Sequence, residues 1–133
     1  MIKSVLLCDD EMHILRAAEF KLKRAGFDVT CTGDGEEAWE SIREKKPHIL
    51  VADYQMPRLD GMGLVARIRE HDEFADIPVI MLTAKGFELA QRDDADRYNV
   101  LAILAKPFSP RELLHCVQQV IETGSLDRPP ALL

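Results

Sequence analysis

Three features that would set this 133-residue chain apart from an ordinary soluble domain are missing. No apolar run is long enough to span a bilayer. The cysteines number three (Cys8, Cys31 and Cys116), lie far apart and include no C-x-x-C pair. An odd, dispersed set argues against a disulfide framework or a zinc site, so a reducing compartment fits best. Positive charge is scarce. Lys and Arg total 17 against 23 Asp and Glu, for a net charge of −6, which disfavours sequence-independent binding to nucleic acid. A leader peptide is not expected, because "MIKSVLL" is short and is cut off by Asp9 and Asp10. No internal repeat or low-complexity segment is seen. One domain is expected, and 47% apolar residues are enough for a core without staples. It should be soluble and cytoplasmic.

What is present is an alternation. Apolar runs and amphipathic stretches follow one another five times. "KSVLLC" reads as a buried strand. Residues 11 to 25 read as a helix with Ile14, Leu15, Ala18, Leu22 and Ala25 on one face, and Gly26 is its natural stop. "FDVTCT" (27 to 32) is a second strand. Residues 34 to 45 read as a helix capped by Asp34, with Ala38, Trp39 and Ile42 inward. "HILVAD" is the third strand, and 61 to 71 the third helix, with Leu64, Val65 and Ile68 inward. "IPVIMLT" (77 to 83) is the fourth strand, followed by a weak helix near 87 to 98 that carries "RDDAD". "VLAILA" (100 to 105) is the fifth strand. The last helix spans 109 to 122, with Ser109 as N-cap and Pro110 in the first position. The domain is expected to occupy 1 to 122, with 123 to 133 a loose tail.

Strict alternation with continuous apolar strands predicts a parallel sheet covered by helices on both faces. Ligands bind such sheets beyond the carboxyl ends of the strands, at the topological switch point. Asp9 and Asp10 follow the first strand, Asp53 ends the third, Thr83 ends the fourth and Lys106 follows the fifth. These polar groups should therefore meet at one end. Three converging carboxylates repel one another and need a cation to stay ionised. Carboxylate oxygens, a carbonyl and waters suit Mg²⁺. Lys106 adds a mobile positive charge with three donors, and Thr83 a hydroxyl. Together they suit a phosphoryl group attacked in line by an acid, which would form an acyl phosphate. Asp53, alone and central, is the best nucleophile.

The set "CDDE", "ADYQMPRLDG", "MLTAK" and "AKPF", in this order and spacing, resembles the receiver domain of bacterial response regulators over roughly residues 3 to 122. The resemblance implies an α/β, flavodoxin-like, doubly wound five-stranded parallel sheet of order 2-1-3-4-5 with five helices. It implies that Asp53 accepts a phosphoryl group from the phosphohistidine of a sensor histidine kinase or phosphotransfer protein. Asp10, Asp53 and the backbone carbonyl of Gln55 would hold Mg²⁺, with Asp9 acting through water or by orienting the metal shell. Lys106 would pair with the phosphoryl oxygens, and the Lys106–Pro107 bond would be cis. Thr83 would swing inward, Ala84 would leave room for the phosphate, and Pro57 and Gly61 match the loop after the acceptor strand. Gln55 and Lys85 stand where family members tune water access.

The chain departs from the family pattern in its fifth strand. Family members commonly carry Gly-Ala, two acids and then Tyr or Phe three residues before the lysine. Here the stretch reads Asn99, Val100, Leu101, Ala102, Ile103. Ile103 has no ring and is stiff at χ1, so the usual threonine-to-aromatic coupling lacks its partner. Leu101 and Ala102 supply no carboxylates, which makes the face of the fourth helix, fifth strand and fifth helix more apolar and suited to a downstream protein partner.

Other readings stay open beside this one. Asp10 could simply cap the first helix, and Lys106 before Pro107 could be surface loop. His13, His48, His71 and His115 share no spacing. Asp93, Asp94 and Asp96 suit a solvated helix face, Trp39 suits packing, and Cys8 a buried strand. The leading function is a stand-alone signalling module rather than an enzyme, with direct nucleic-acid and membrane contacts not expected. A relay, a phosphate-independent receiver, or a fragment of a longer regulator or hybrid kinase is the alternative. A phosphatase of the haloacid dehalogenase type is more remote, because Gln55 stands where that class carries its second acid.

Overall fold

The computed structural model describes residues 2–84, 93 and 96–123. Five strands form one parallel sheet: β1 (Ser4–Cys8), β2 (Asp28–Thr32), β3 (Ile49–Asp53), β4 (Val79–Thr83) and β5 (Ala102–Ala105). Their order is β2-β1-β3-β4-β5, as the sequence implies. Every residue of β3 and β4 is buried, which accounts for their unbroken apolar runs. Helices α1 (Met12–Arg24), α2 (Gly35–Glu44), α3 (Gly61–Arg69) and α4 (Pro110–Thr123) cover the sheet.

The side-chain period of two sorts the strands into two cores. Val5, Leu7, Ile49, Val51, Ile80, Leu82, Ala102 and Leu104 pack with Leu15, Ala18 and Leu22 of α1 and with Leu113, Val117 and Val120 of α4. Their neighbours Leu6, Cys8, Leu50, Ala52, Val79, Met81 and Ile103 pack with Ala38 and Ile42 of α2 and with Leu64, Val65 and Ile68 of α3. Trp39 is part of this second core. It is 8% exposed, and Phe74 meets it edge-on at 5.7 Å.

Helix ends follow local chemistry. Gly26 has φ +99, and the Gly26 and Phe27 amides donate to the Lys23 and Leu22 carbonyls, a Schellman closure. Asp34 caps α2 by accepting from the Glu37 amide at 2.9 Å. Ser109 and Glu112 form a reciprocal capping box at 3.1 Å each way, with Pro110 opening α4. Asp60, which sequence reading passed over, caps α3 through the Gly63 amide at 2.7 Å.

Some expectations shift. The N-cap of α1 is Glu11 rather than Asp10, and the Glu11 side chain makes no capping bond. Among the described residues there are four helices, one fewer than expected. The weak helix expected near 87 to 98 lies largely outside the described residues, as do Lys85, Asp94 and residues 124–133. Asp93 and Asp96 are exposed. The fifth strand starts at Ala102 rather than Val100. Asn99, at φ +57, turns the chain just before it, although the Leu101 amide already bonds the Val79 carbonyl at 2.9 Å.

Candidate functional site

The ladder of β-bridges carries the acids to one edge of the sheet. The Asp9 amide continues the β1–β2 pairing through the Thr32 carbonyl at 3.1 Å. Asp53 closes β3, opposite Leu82 in β4. The Tyr54 amide then donates to the Leu82 carbonyl, and the Lys106 amide to the Thr83 carbonyl, both at 2.7 Å. Asp9 and Asp53 thus flank the gap between neighbouring β1 and β3, and Lys106 reaches over from the sheet edge. Gly61 fits close beneath. A Cβ there would run into the Asp53 carbonyl oxygen and come to 3.0 Å from Met81 Sδ, so only glycine lets α3 start against β3.

One ammonium serves three acids. Lys106 Nζ lies 2.9 Å from Asp53 Oδ2, 2.9 Å from Asp9 Oδ2 and 2.7 Å from Glu11 Oε1. Asp53 Oδ1 accepts from the Gln55 amide at 3.4 Å, and Asp9 Oδ1 from the Glu11 amide at 2.9 Å. Burial raises the Asp53 carboxyl above the usual aspartate range. The hydrogen bond from Lys106 opposes that rise, and the charge of Asp9 adds to it. Burial alone would lower the Lys106 ammonium, but its bonds to Glu11, Asp9 and Asp53 outweigh this and hold it above the ordinary lysine range. The same ammonium holds Glu11 below the usual range.

The sequence-derived site residues divide by location. Asp9 and Asp53 are buried beside Lys106, and Asp10 is exposed at the rim. Thr83 is 1% exposed, and its hydroxyl points to the Ala84 carbonyl at 3.5 Å. The Lys106–Pro107 bond is cis. Ile103 is 6% exposed and lies in the α2–α3 core, opposite Met81 in the register. Of the two residues replacing the family's acid pair, Ala102 is fully buried and Leu101 is half-buried. Leu101 is therefore the one that adds apolar surface. Cys8 is inert, its thiol pushed up to about 12 mainly by burial.

Glu11 is the residue that sequence reading left without a role. Its place after the Asp pair was visible, but a partner 95 positions away was not.

The residues present fit a divalent cation. One oxygen each from Asp9, Asp10 and Asp53 lies within 4.8 Å of the others. Asp9 Oδ2 is buried and makes no aligned hydrogen bond, although Lys106 stands at 2.9 Å. A buried carboxylate oxygen whose charged neighbour is not aligned to donate keeps acceptor capacity to spare, and an all-oxygen donor set is the kind that Mg²⁺ takes.

Comparison with known proteins agrees with this geometry. The family model described as "Response regulator receiver domain" matches residues 5–118. The chain is 40% identical to a probable transcriptional regulator, ycf27, of Cyanophora paradoxa, over 84% of this chain and 45% of that protein. It is 35% identical to the alkaline phosphatase synthesis transcriptional regulatory protein PhoP of Bacillus subtilis, over 97% of this chain and 52% of that one. The chain thus spans about half the length of the curated relatives it matches. Among solved structures, the chemotaxis response regulator CheY4 of Vibrio cholerae superposes with a TM-score of 0.83 at 26% identity, covering 90% of this chain and 99% of that one. The Francisella response regulator 1452 receiver domain gives 0.82 at 29% identity, over 92% and 99%.

Proposed function

The chain belongs to the response regulator receiver domain family, and from that membership we propose that Asp53 is its phosphoacceptor. The observation that carries this is the convergence of Asp53, Asp9 and Lys106 within 2.9 Å contacts at the carboxyl edge of the sheet. A carboxylate oxygen of Asp53 attacks phosphorus in a phosphohistidine of a sensor histidine kinase or phosphotransfer protein. The N–P bond breaks, its electrons return to the imidazole, and an acyl phosphate forms. Mg²⁺, held by Asp9, Asp10, Asp53 and the Gln55 carbonyl, would supply charge neutralisation for the phosphoryl oxygens. Lys106 donates to those oxygens. Thr83 turns its hydroxyl toward them, and Ala84 leaves them space. Pro107 sets the loop that aims Lys106.

A module of this kind acts on itself and not on a released product, so its output is binding. We assign that output to the face of β5 and α4. Leu104, Arg111, Glu112, His115 and Cys116 line a mostly apolar hollow of about 340 Å³ there, which suits a protein partner. Among the described residues no helix is long and apolar enough to cross a membrane. A histidine kinase or phosphotransfer partner of this sort would be met in the cytoplasm. We take residues 1 to 122 as the receiver domain, and α4 ends one residue beyond that bound, at Thr123.

The test is labelling by a small phosphodonor such as phosphoramidate, read by intact mass. Wild type should gain one phosphoryl group with Mg²⁺ and none with chelator, and Asp53→Asn should gain none. Equal labelling of Asp53→Asn would refute the assignment.

A further inference from the structure

Glu11 sits at the N-cap of α1 with extended backbone, φ −92 and ψ 97, yet its side chain makes no capping bond. Glutamate is a poor N-cap, and a short polar side chain would satisfy that helix end better. Its carboxylate reaches instead across the site to Lys106, at 2.7 Å. An ammonium has three donors, and Glu11, Asp9 and Asp53 together occupy its surroundings at 2.7 to 2.9 Å.

These three partners differ in how easily they let go. The Asp9 side chain is 1% exposed and the Asp53 side chain 9%, whereas that of Glu11 is 46% exposed. A phosphoryl group on Asp53 brings close to two negative charges and three acceptor oxygens. Lys106 must then give up a partner. Releasing Asp9 would strand a buried charge, whereas releasing Glu11 returns a carboxylate to water at small cost. Glu11 also stands at the mouth, where its charge meets any anionic phosphodonor on approach.

We infer that Glu11 is a positioning residue that holds Lys106 while the domain is unphosphorylated and hands it to the phosphoryl group when one arrives. The inference rests on Asp53 being the phosphoacceptor. It makes Glu11 a brake on phosphorylation: it sequesters the lysine and repels the donor.

The experiment compares wild type with Glu11→Gln, which keeps the shape and removes the charge. Each protein is saturated with Mg²⁺ and labelled with phosphoramidate at low and high potassium chloride. The variant should label about two- to fivefold faster at low salt, the scale of a half-exposed ion pair. The gap should close at about 1 M salt, where screening is short-ranged. Beryllofluoride, which binds without a chemical step, should bind the variant more tightly by a similar factor. A structural disturbance of α1 would not respond to salt in this way. Equal or slower labelling by Glu11→Gln, or a gap that salt leaves unchanged, would overturn the inference. Failure of the wild type to label at Asp53 would instead overturn the reading beneath it, and it shows separately.

Discussion

Replacing Lys106 by methionine should expose how much of this domain's stability depends on one cation. Methionine keeps most of the aliphatic stem and so isolates the charge. The Lys106 side chain is 12% exposed, and its partners Asp9 and Asp53 are 1% and 9% exposed. Removing one partner of a buried pair costs about 3–5 kcal/mol, because the other charge stays desolvated. Glu11, at 46% exposure, adds little to that figure. The expected loss is therefore about 3 kcal/mol or more at neutral pH with chelator present. That is a large part of the ~5–15 kcal/mol that holds a domain together.

Three dependences distinguish this cause from a packing defect. Mg²⁺ should recover part of the loss, because a ligand at 100 times its Kd stabilises by about 2.7 kcal/mol. Acid should recover part as well. The Asp53 carboxyl is raised by burial even with Lys106 present, and without the ammonium it rises further. A carboxylate with a folded pKa above its unfolded value holds its proton more tightly when folded. Its penalty is full above the folded pKa and is relieved as pH falls through it. The deficit should thus shrink as pH falls from neutrality through the raised Asp53 pKa. Finally, Asp53→Asn placed in the Lys106→Met background should restore stability, a non-additive pair. Urea unfolding followed by Trp39 fluorescence reads all three. A loss under about 1 kcal/mol, insensitive to pH, Mg²⁺ and Asp53→Asn, would refute the claim that the fold desolvates these acids.

Two substitutions and one spectrum test other parts of the account. Gly61→Ala forces a methyl against the Asp53 carbonyl oxygen; it should cost about 1–3 kcal/mol and reduce phosphoramidate labelling in the same protein. Ser109→Ala removes one half of the capping box with Glu112 and should cost about 1 kcal/mol in urea unfolding, while labelling of Asp53 stays at the wild-type rate. Beryllofluoride binding followed by NMR should shift Asp53 and Thr83 and also Ile103, because Ile103 packs in one core with Met81, next to Leu82 and Thr83 in β4; shifts that stop at the pocket would mean that strand five is uncoupled.

Much of this fold could be read from the chain because local and global signals agree. β3 and β4 are buried along their whole length, so their apolar runs could hardly be anything else. Gly26, Asp34 and the Ser109–Glu112 box mark helix ends through bonds made within a few residues. The place of the candidate site was legible for a related reason: Asp53 and Thr83 close strands, Asp9 and Lys106 follow them, and a parallel sheet brings such strand ends together. What escaped was whatever depends on facing and distance. Leu101 and Ala102 look alike as replacements for an acid pair, yet the register of Ala102 with Ile80 turns Ala102 into the core. Asp9 and Asp10 are adjacent, and only the last bridge of β1 decides that Asp9 is buried and Asp10 exposed. Glu11 follows them as one more acid, and nothing near it in sequence names Lys106 as its partner. Residues constrained in both type and strand-end position, such as Asp9, Asp53 and Lys106, show in sequence. A half-exposed carboxylate such as Glu11 is constrained by neither, and its partner appears once the fold has set it beside Lys106.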